Sequence, residues 1–311
     1  MRISTPIAQA ARGFVMGSAD IVPGVSGGTV ALVLGIYDRL ITNISLGARG
    51  LKQLLTGDFS TFRETLTEIE WVWLVSLLVG ILAAVVALAS LIERLLHEQP
   101  VRMAALFLGL IIGSIWVAAR MIDRFDAVTV AIMLGIGAAM FLLLGLRTDT
   151  EVADDALEVV TKSPLAFFLA GAIAICAMIL PGISGSFILV MLGMYTEVLG
   201  AVNDRDLAPL IAFMVGAVAG LALFSTLLHW LLESYHNWVM AAMVGLMLGS
   251  TRVLWAWPNG TNTTTLGAPS GDVLFPVVLT LVGAVLVIGV SQLSRHLAGA
   301  DPEKVASSVP S

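Results

Sequence analysis

Charge is the scarcest commodity in this chain. Lys, Arg, Asp and Glu together make up 12% of 311 residues, about half the share of an ordinary soluble domain. Cysteine is nearly absent: Cys176 stands alone in an apolar run, where it reads as a small packing residue. One cysteine excludes an internal disulfide framework and a multi-cysteine metal site. The four histidines, His97, His229, His236 and His296, lack metal-ligand spacing. There is no phosphate loop with its lysine and no Ser-His-Asp set within one stretch. No basic stripe interleaved with aromatics is present, so nucleic acid is not an expected partner. No cofactor is expected. The segment 1–13 is too polar for a signal-peptide core and has no cleavage signature, so it is expected to be retained.

What is present is apolar surface. Hydrophobic residues make up 58% of the chain and the mean hydropathy is +0.96, values of a polytopic membrane protein. Uncharged runs at 71–92, 103–119, 127–146, 207–232 and 273–291 reach or approach the ~20 residues that a bilayer crossing needs, and 237–257 carries only Arg252. Just ahead of Trp71 lies an amphipathic stretch. Leu51, Leu54, Leu55, Phe62, Leu66 and Ile69 recur at helical spacing opposite Lys52, Arg63 and Glu68, which predicts an interfacial helix over 47–70. Residues 149–163 form an acidic linker, and 297–311 a polar tail expected to be disordered.

One short motif occurs twice, 158 residues apart. Pro23-Gly24-Val25-Ser26-Gly27-Gly28 and Pro181-Gly182-Ile183-Ser184-Gly185-Ser186 each run on to Leu-Gly-x-Tyr, at Leu34 to Tyr37 and Leu192 to Tyr195. Pro-Gly followed by Ser-Gly breaks a helix and restarts one. Lipid cannot solvate the freed backbone groups, so such a break is buried in protein or lines a cavity. Matched breaks in two halves point to a transporter built from repeats, with its binding site between the breaks.

The echo extends further. Gly109-Leu-Ile-Ile-Gly113-Ser114 is matched by Gly245-Leu-Met-Leu-Gly249-Ser250, Gly80 and Leu91 by Gly216 and Leu227, and Asp126 and Gly137 by Asp272 and Gly283. This predicts a first repeat over 1–148, with a motif segment at 8–46 and helices at 71–96, 103–121 and 127–146, and a second repeat over 164–296. Small residues four apart in these helices favour close packing.

From Pro23 to Tyr37 is about 22 Å as helix, short of a ~30 Å hydrocarbon core, which suits a re-entrant hairpin. With hairpins and the N-terminus inside, ten of the 16 Lys and Arg residues are cytoplasmic; with crossing segments, only eight are. The expected fold is therefore all-α: two inverted repeats, each a re-entrant hairpin plus three transmembrane helices, with both termini cytoplasmic.

A helix starting at Pro-Gly-x-Ser-Gly presents unpaired N–H groups and the positive end of its dipole. Ser26, Thr29, Ser184 and Ser186 add hydroxyls, and Gly24, Gly27, Gly28, Gly182 and Gly185 permit close approach. Such an end suits phosphate or carboxylate. The opposed reading is plain helix packing, and it is the recurrence in both halves that favours the anion. Asp20 is the sole ionisable residue between Phe14 and Ile36. It either couples transport to a cation or caps N–H groups freed near Pro23. Arg252 either draws an anion toward the site or snorkels to the interface.

The string Gly17-Ser-Ala-Asp20-Ile-Val-Pro23-Gly-Val-Ser-Gly-Gly-Thr29, the later Leu180-Pro-Gly-Ile-Ser-Gly-Ser186, and Gly249-Ser-Thr-Arg252-Val-Leu-Trp255 resemble the bacterial polyprenyl-phosphate translocases of the PopT type. The resemblance runs from about Ala11 to Arg295. It implies a non-enzymatic carrier in the bacterial plasma (inner) membrane. Such a carrier returns undecaprenyl phosphate to the cytoplasmic leaflet, with a proton or sodium ion as coupling partner. A carrier of small anions and a membrane polyprenyl diphosphate phosphatase are the alternatives.

Overall fold

The computed structural model describes residues 6–21, 26–145, 163–260 and 265–299. Pro23 and Gly24, nearly all of the acidic linker and all but the first few residues of the tail fall outside them. The described residues form the helices α1 (Pro6–Asp20), α2 (Gly27–Val33), α3 (Tyr37–Thr56), α4 (Phe59–Glu68), α5 (Trp71–Glu98), α6 (Pro100–Ala119), α7 (Ala127–Gly145), α8 (Pro164–Ile179), α9 (Gly185–Met191), α10 (Tyr195–Asn203), α11 (Leu207–Ser250) and α12 (Leu274–Gly299). Five of them, α5, α6, α7, α11 and α12, contain stretches long and apolar enough to cross a membrane.

Local chemistry sets the breaks. The stretch 47–70 is not the single interfacial helix its periodicity predicts. Gly57 adopts a left-handed φ of 77°, and Asp58 accepts the Thr61 N–H as the cap of a new helix. The chain folds back there, and Gly50 of α3 faces Phe62 and Thr65 of α4. At the other extreme, α11 runs 44 residues but is broken at Tyr235 (φ −137°, ψ 38°). Gln99, 136 positions earlier, turns the chain between α5 and α6 with φ −137° and ψ 52°.

Glycines bring the helices together in parallel pairs. Gly13 and Gly17 of α1 lie on the backbone of Leu77 and Ile81 of α5, and Gly80 returns the contact at Ala10 and Phe14. In the second half, Gly216 and Gly220 of α11 lie on Phe168 and Ala172 of α8. Helices from the two halves of the chain also pair: Gly109 and Gly113 of α6 meet Thr280 and Ala284 of α12, while Gly245 and Gly249 of α11 meet Met133, Gly137 and Met140 of α7. Asn237 ties one end of this assembly. Its Oδ1 accepts the Asp123 N–H (2.8 Å), and its amide donates to the Arg124 carbonyl (2.7 Å) and to Thr129 Oγ1 (3.2 Å).

The start of α1 lies close to the starts of α3 and α5. Pro6 and Gln9 of α1 share one cavity with Arg39, Glu70 and Trp73. There Arg39 donates from Nε to Glu70 Oε1 (2.8 Å), pairs again through Nη2 with Oε2, and lies over the Trp73 ring. The largest core cluster fills the space between α2, α3, α6 and α11, with Leu32, Ile41, Ile111, Met240, Met243 and Met247 fully buried.

Candidate functional site

The start of α2 meets the break between α8 and α9, although the two motifs lie 158 residues apart in the chain. Ser26 precedes α2 in an extended conformation and accepts the Gly28 N–H on Oγ (3.1 Å). Its hydroxyl points across the seam to the carbonyls of Leu180 (3.3 Å) and Met178 (3.4 Å). Thr29 Oγ1 accepts the Gly182 N–H (3.0 Å), and Tyr37 donates its hydroxyl to the Ile179 carbonyl (3.1 Å). Side chains of the first motif thus satisfy backbone groups that the second break frees, as an apolar surrounding requires.

Two glycines have specific reasons. Gly182 has φ +85° and lies against the Met247 backbone, where L side chains are disfavoured. A Cβ on Gly28 would stand 2.6 Å from the Ile179 carbonyl oxygen. The matching position of the second motif is Ser186, which opens α9 after Gly185.

The first-turn donors of α2 are not free, contrary to the expectation from the motif alone. Asp20 Oδ1 accepts the Gly27 N–H at 2.6 Å, and the Ser26 carbonyl accepts the Thr29 N–H. Asp20 therefore caps α2 from the end of α1. A cavity of about 290 Å³ opens beside this cap, lined by Asp20 and Ser26 from the first motif and by Ile183, Ser184 and Gly185 from the second, with Phe213 of α11 opposite. Asp20 is the only ionisable residue in that lining.

Of the residues singled out from sequence, Asp20, Ser26, Ser184 and Gly185 converge on the cavity, and Gly27, Gly28, Thr29 and Gly182 form the seam beside it. Gly24 lies outside the described residues. Arg252 is elsewhere: its guanidinium lies over the Phe141 ring (4.8 Å) and fills the space beside Gly145 at the end of α7. Tyr37 had drawn no role from sequence, although the repeated Leu-Gly-x-Tyr ending marked it. Tyr195, at the matching place in the second motif, is 42% exposed, against 3% for Tyr37, so the two tyrosines have different surroundings. Among the described residues, no group of three His, Cys, Asp or Glu side chains is placed to hold a metal ion.

A family described as undecaprenyl phosphate translocase-like matches residues 16–269. A polyprenyl-phosphate transporter of Vibrio cholerae is 40% identical over 248 residues, which cover 79% of this chain and 76% of that protein. A polyprenyl-phosphate transporter of Staphylococcus aureus is 32% identical over 249 residues, 77% of this chain and 82% of that protein. No solved structure matches the chain.

Proposed function

Since the chain belongs to the undecaprenyl phosphate translocase-like family, we propose that it carries undecaprenyl phosphate from the outer to the cytoplasmic leaflet of the bacterial plasma membrane, with an inward cation gradient as the driving force. The protein is a multi-pass membrane transporter of polyprenyl phosphate, not an enzyme. The observation that carries the finer reading is the meeting of the two breaks around a cavity whose only ionisable group is Asp20.

The phosphate head binds in that cavity, against Ser26, Ser184 and the glycine backbone of both motifs, while the lipid tail stays in the apolar phase. Phosphate and the Asp20 carboxylate repel each other there, by roughly 4 kcal/mol for unit charges 4 Å apart at an effective dielectric of about 20. A proton or sodium ion on Asp20 removes that repulsion and releases the Gly27 N–H for the phosphate. Cation and anion therefore enter together, and an inward cation gradient drives inward movement of the lipid.

Each motif segment is a re-entrant hairpin in this reading. Two observations support it: the paired ends of the first hairpin at Gln9, Arg39 and Trp73, and the parallel course of α1 with α5. Three crossings per half (α5, α6 and α7, then the two arms of α11 and α12) make the second repeat an inverted copy and put both termini in the cytoplasm. Access alternates as one repeat moves against the other.

The test is leaflet exchange of labelled undecaprenyl phosphate in proteoliposomes, with and without proton or sodium gradients, for the native protein and Asp20→Asn. The native protein is expected to accelerate exchange and to respond to a gradient. Asp20→Asn retains the cap and loses the gradient response. Exchange no faster than in protein-free vesicles refutes transport, and a full gradient response in Asp20→Asn refutes the coupling role alone.

A further inference from the structure

Helix α8 has 16 residues, about 24 Å, and stops well short of the end of the α11 arm it packs against. Along that arm Phe213, Ala217, Phe224, Leu228, Leu231 and Tyr235 recur every three or four positions or after two turns, so they fall on one stripe. Phe213 and Ala217 line the cavity at the breaks. The rest of the stripe, from beside the last turn of α8 onward, lines a second cavity of about 530 Å³. Its far wall is the second arm of α11, with Val239, Ala242, Met243 and Leu246, and no charged residue borders it. At one end is Leu180, the residue whose carbonyl faces the Ser26 hydroxyl. At the other, Tyr235 stacks on Trp238 (5.4 Å between centroids, 9° between planes), with Trp230 edge-on to Tyr235.

We propose that this groove is a binding site for the isoprenoid chain of the substrate, holding the units nearest the phosphate. The inference rests on the phosphate reading above and adds a second recognition site to it. Entry of an apolar chain from lipid gains nothing from the hydrophobic effect, because lipid tails are equally apolar. Recognition comes instead from close contact with a branched chain, and from tethering. A chain attached to a phosphate held beside Leu180 meets the groove at high effective concentration, whereas the acyl chain of a free phospholipid does not. The groove follows from the short α8: the same face of α11 that α8 covers at Gly216 and Gly220 is left open to the chain beyond Ile179.

Binding by detergent-solubilised full-length protein distinguishes the outcomes, with farnesyl phosphate, a straight-chain alkyl phosphate of similar carbon number and glycerol phosphate as probes. The native protein is expected to prefer farnesyl phosphate to the straight chain. Ala242→Phe, which fills the groove, is expected to weaken farnesyl phosphate at least tenfold and to leave glycerol phosphate unchanged. Unchanged farnesyl phosphate binding in Ala242→Phe overturns the groove and leaves the head site standing. Failure of every probe to bind the native protein overturns the head site and the groove with it. A second measurement needs no variant: a benzophenone-bearing isoprenoid phosphate should photolabel residues 224–246 of the native protein. Labelling elsewhere, or displacement by phospholipid as effective as by farnesyl phosphate, refutes the proposal.

Discussion

Gly28→Ser makes the first motif match the second and is expected to be severely damaging. A Cβ at Gly28 stands 2.6 Å from the Ile179 carbonyl oxygen and 3.1 Å from Ser26 Oγ, whereas ordinary contact begins at 3.4 Å. Relief requires the two breaks to part by about 0.8 Å, which takes the Thr29–Gly182 bond from 3.0 Å to about 3.8 Å, beyond hydrogen-bonding range. The Ser26–Leu180 bond, already 3.3 Å, is lost with it. Each buried group left unpaired costs about 1–3 kcal/mol. The two losses share one displacement and do not simply add, so a net loss of at least about 2 kcal/mol is expected, roughly thirtyfold in an equilibrium constant. Thermal inactivation in detergent and leaflet exchange in proteoliposomes both read it. Gly47→Ala, at a position with nothing within 4 Å, is the control. Native stability and native exchange in Gly28→Ser would refute the claim that the seam is held by this close approach.

Gly80→Ala and Gly216→Ala push a methyl into the backbone of Ala10 and Phe168 and should lower the unfolding midpoint in detergent, whereas Gly135→Ala, with open space around it, should raise stability by about 0.5–1 kcal/mol; equal effects would discredit the packing account. Hydrogen bonds from Arg39 hold the Glu70 carboxyl below its ordinary value, with Asn43 adding to the effect. A depressed value in the folded state means stability that is present at neutral pH and lost as pH falls through that value. The stability difference between native protein and Glu70→Gln should therefore be small at pH 7, because the pair is exposed, and should vanish in acid. A difference that grows in acid would contradict it. For topology, single cysteines at Gly57 and Arg124 in a Cys176→Ala background should resist an impermeant thiol reagent applied to intact cells, while Gly271→Cys should react. Labelling of Gly57→Cys from outside would overturn the hairpin reading.

Helix contacts made through glycine were legible because such packing leaves a mark in sequence. Gly80 and Gly216 echo each other, and each lies on a helix backbone at matching positions, Ala10 and Phe168. Turns without such marks were harder to read. Tyr235 breaks α11 by its backbone angles alone, although Glu233 and His236 had separated the two apolar runs there. The stretch 47–70 shows the opposite case: helical spacing continues through Gly57 and Asp58 and masks the turn signal those residues supply. At the site, sequence pointed to both motifs but not to how they interlock. That Asp20 takes the Gly27 N–H and Tyr37 reaches Ile179 depends on two distant segments meeting. The position of Arg252 over Phe141 follows from the packing of α7 against α11, which no local pattern encodes.

The seam has a consequence for how the protein is made. Its hydroxyl donors, Ser26 and Tyr37, belong to the part of the chain that leaves the ribosome first, and the carbonyls they serve, Met178, Ile179 and Leu180, emerge much later. The second motif segment therefore enters a membrane in which its partners are already waiting. Synthesised alone, it would carry those carbonyls into lipid, at several kcal/mol for each group left unsatisfied. The first half can wait for the second, but the second half cannot be stored without the first.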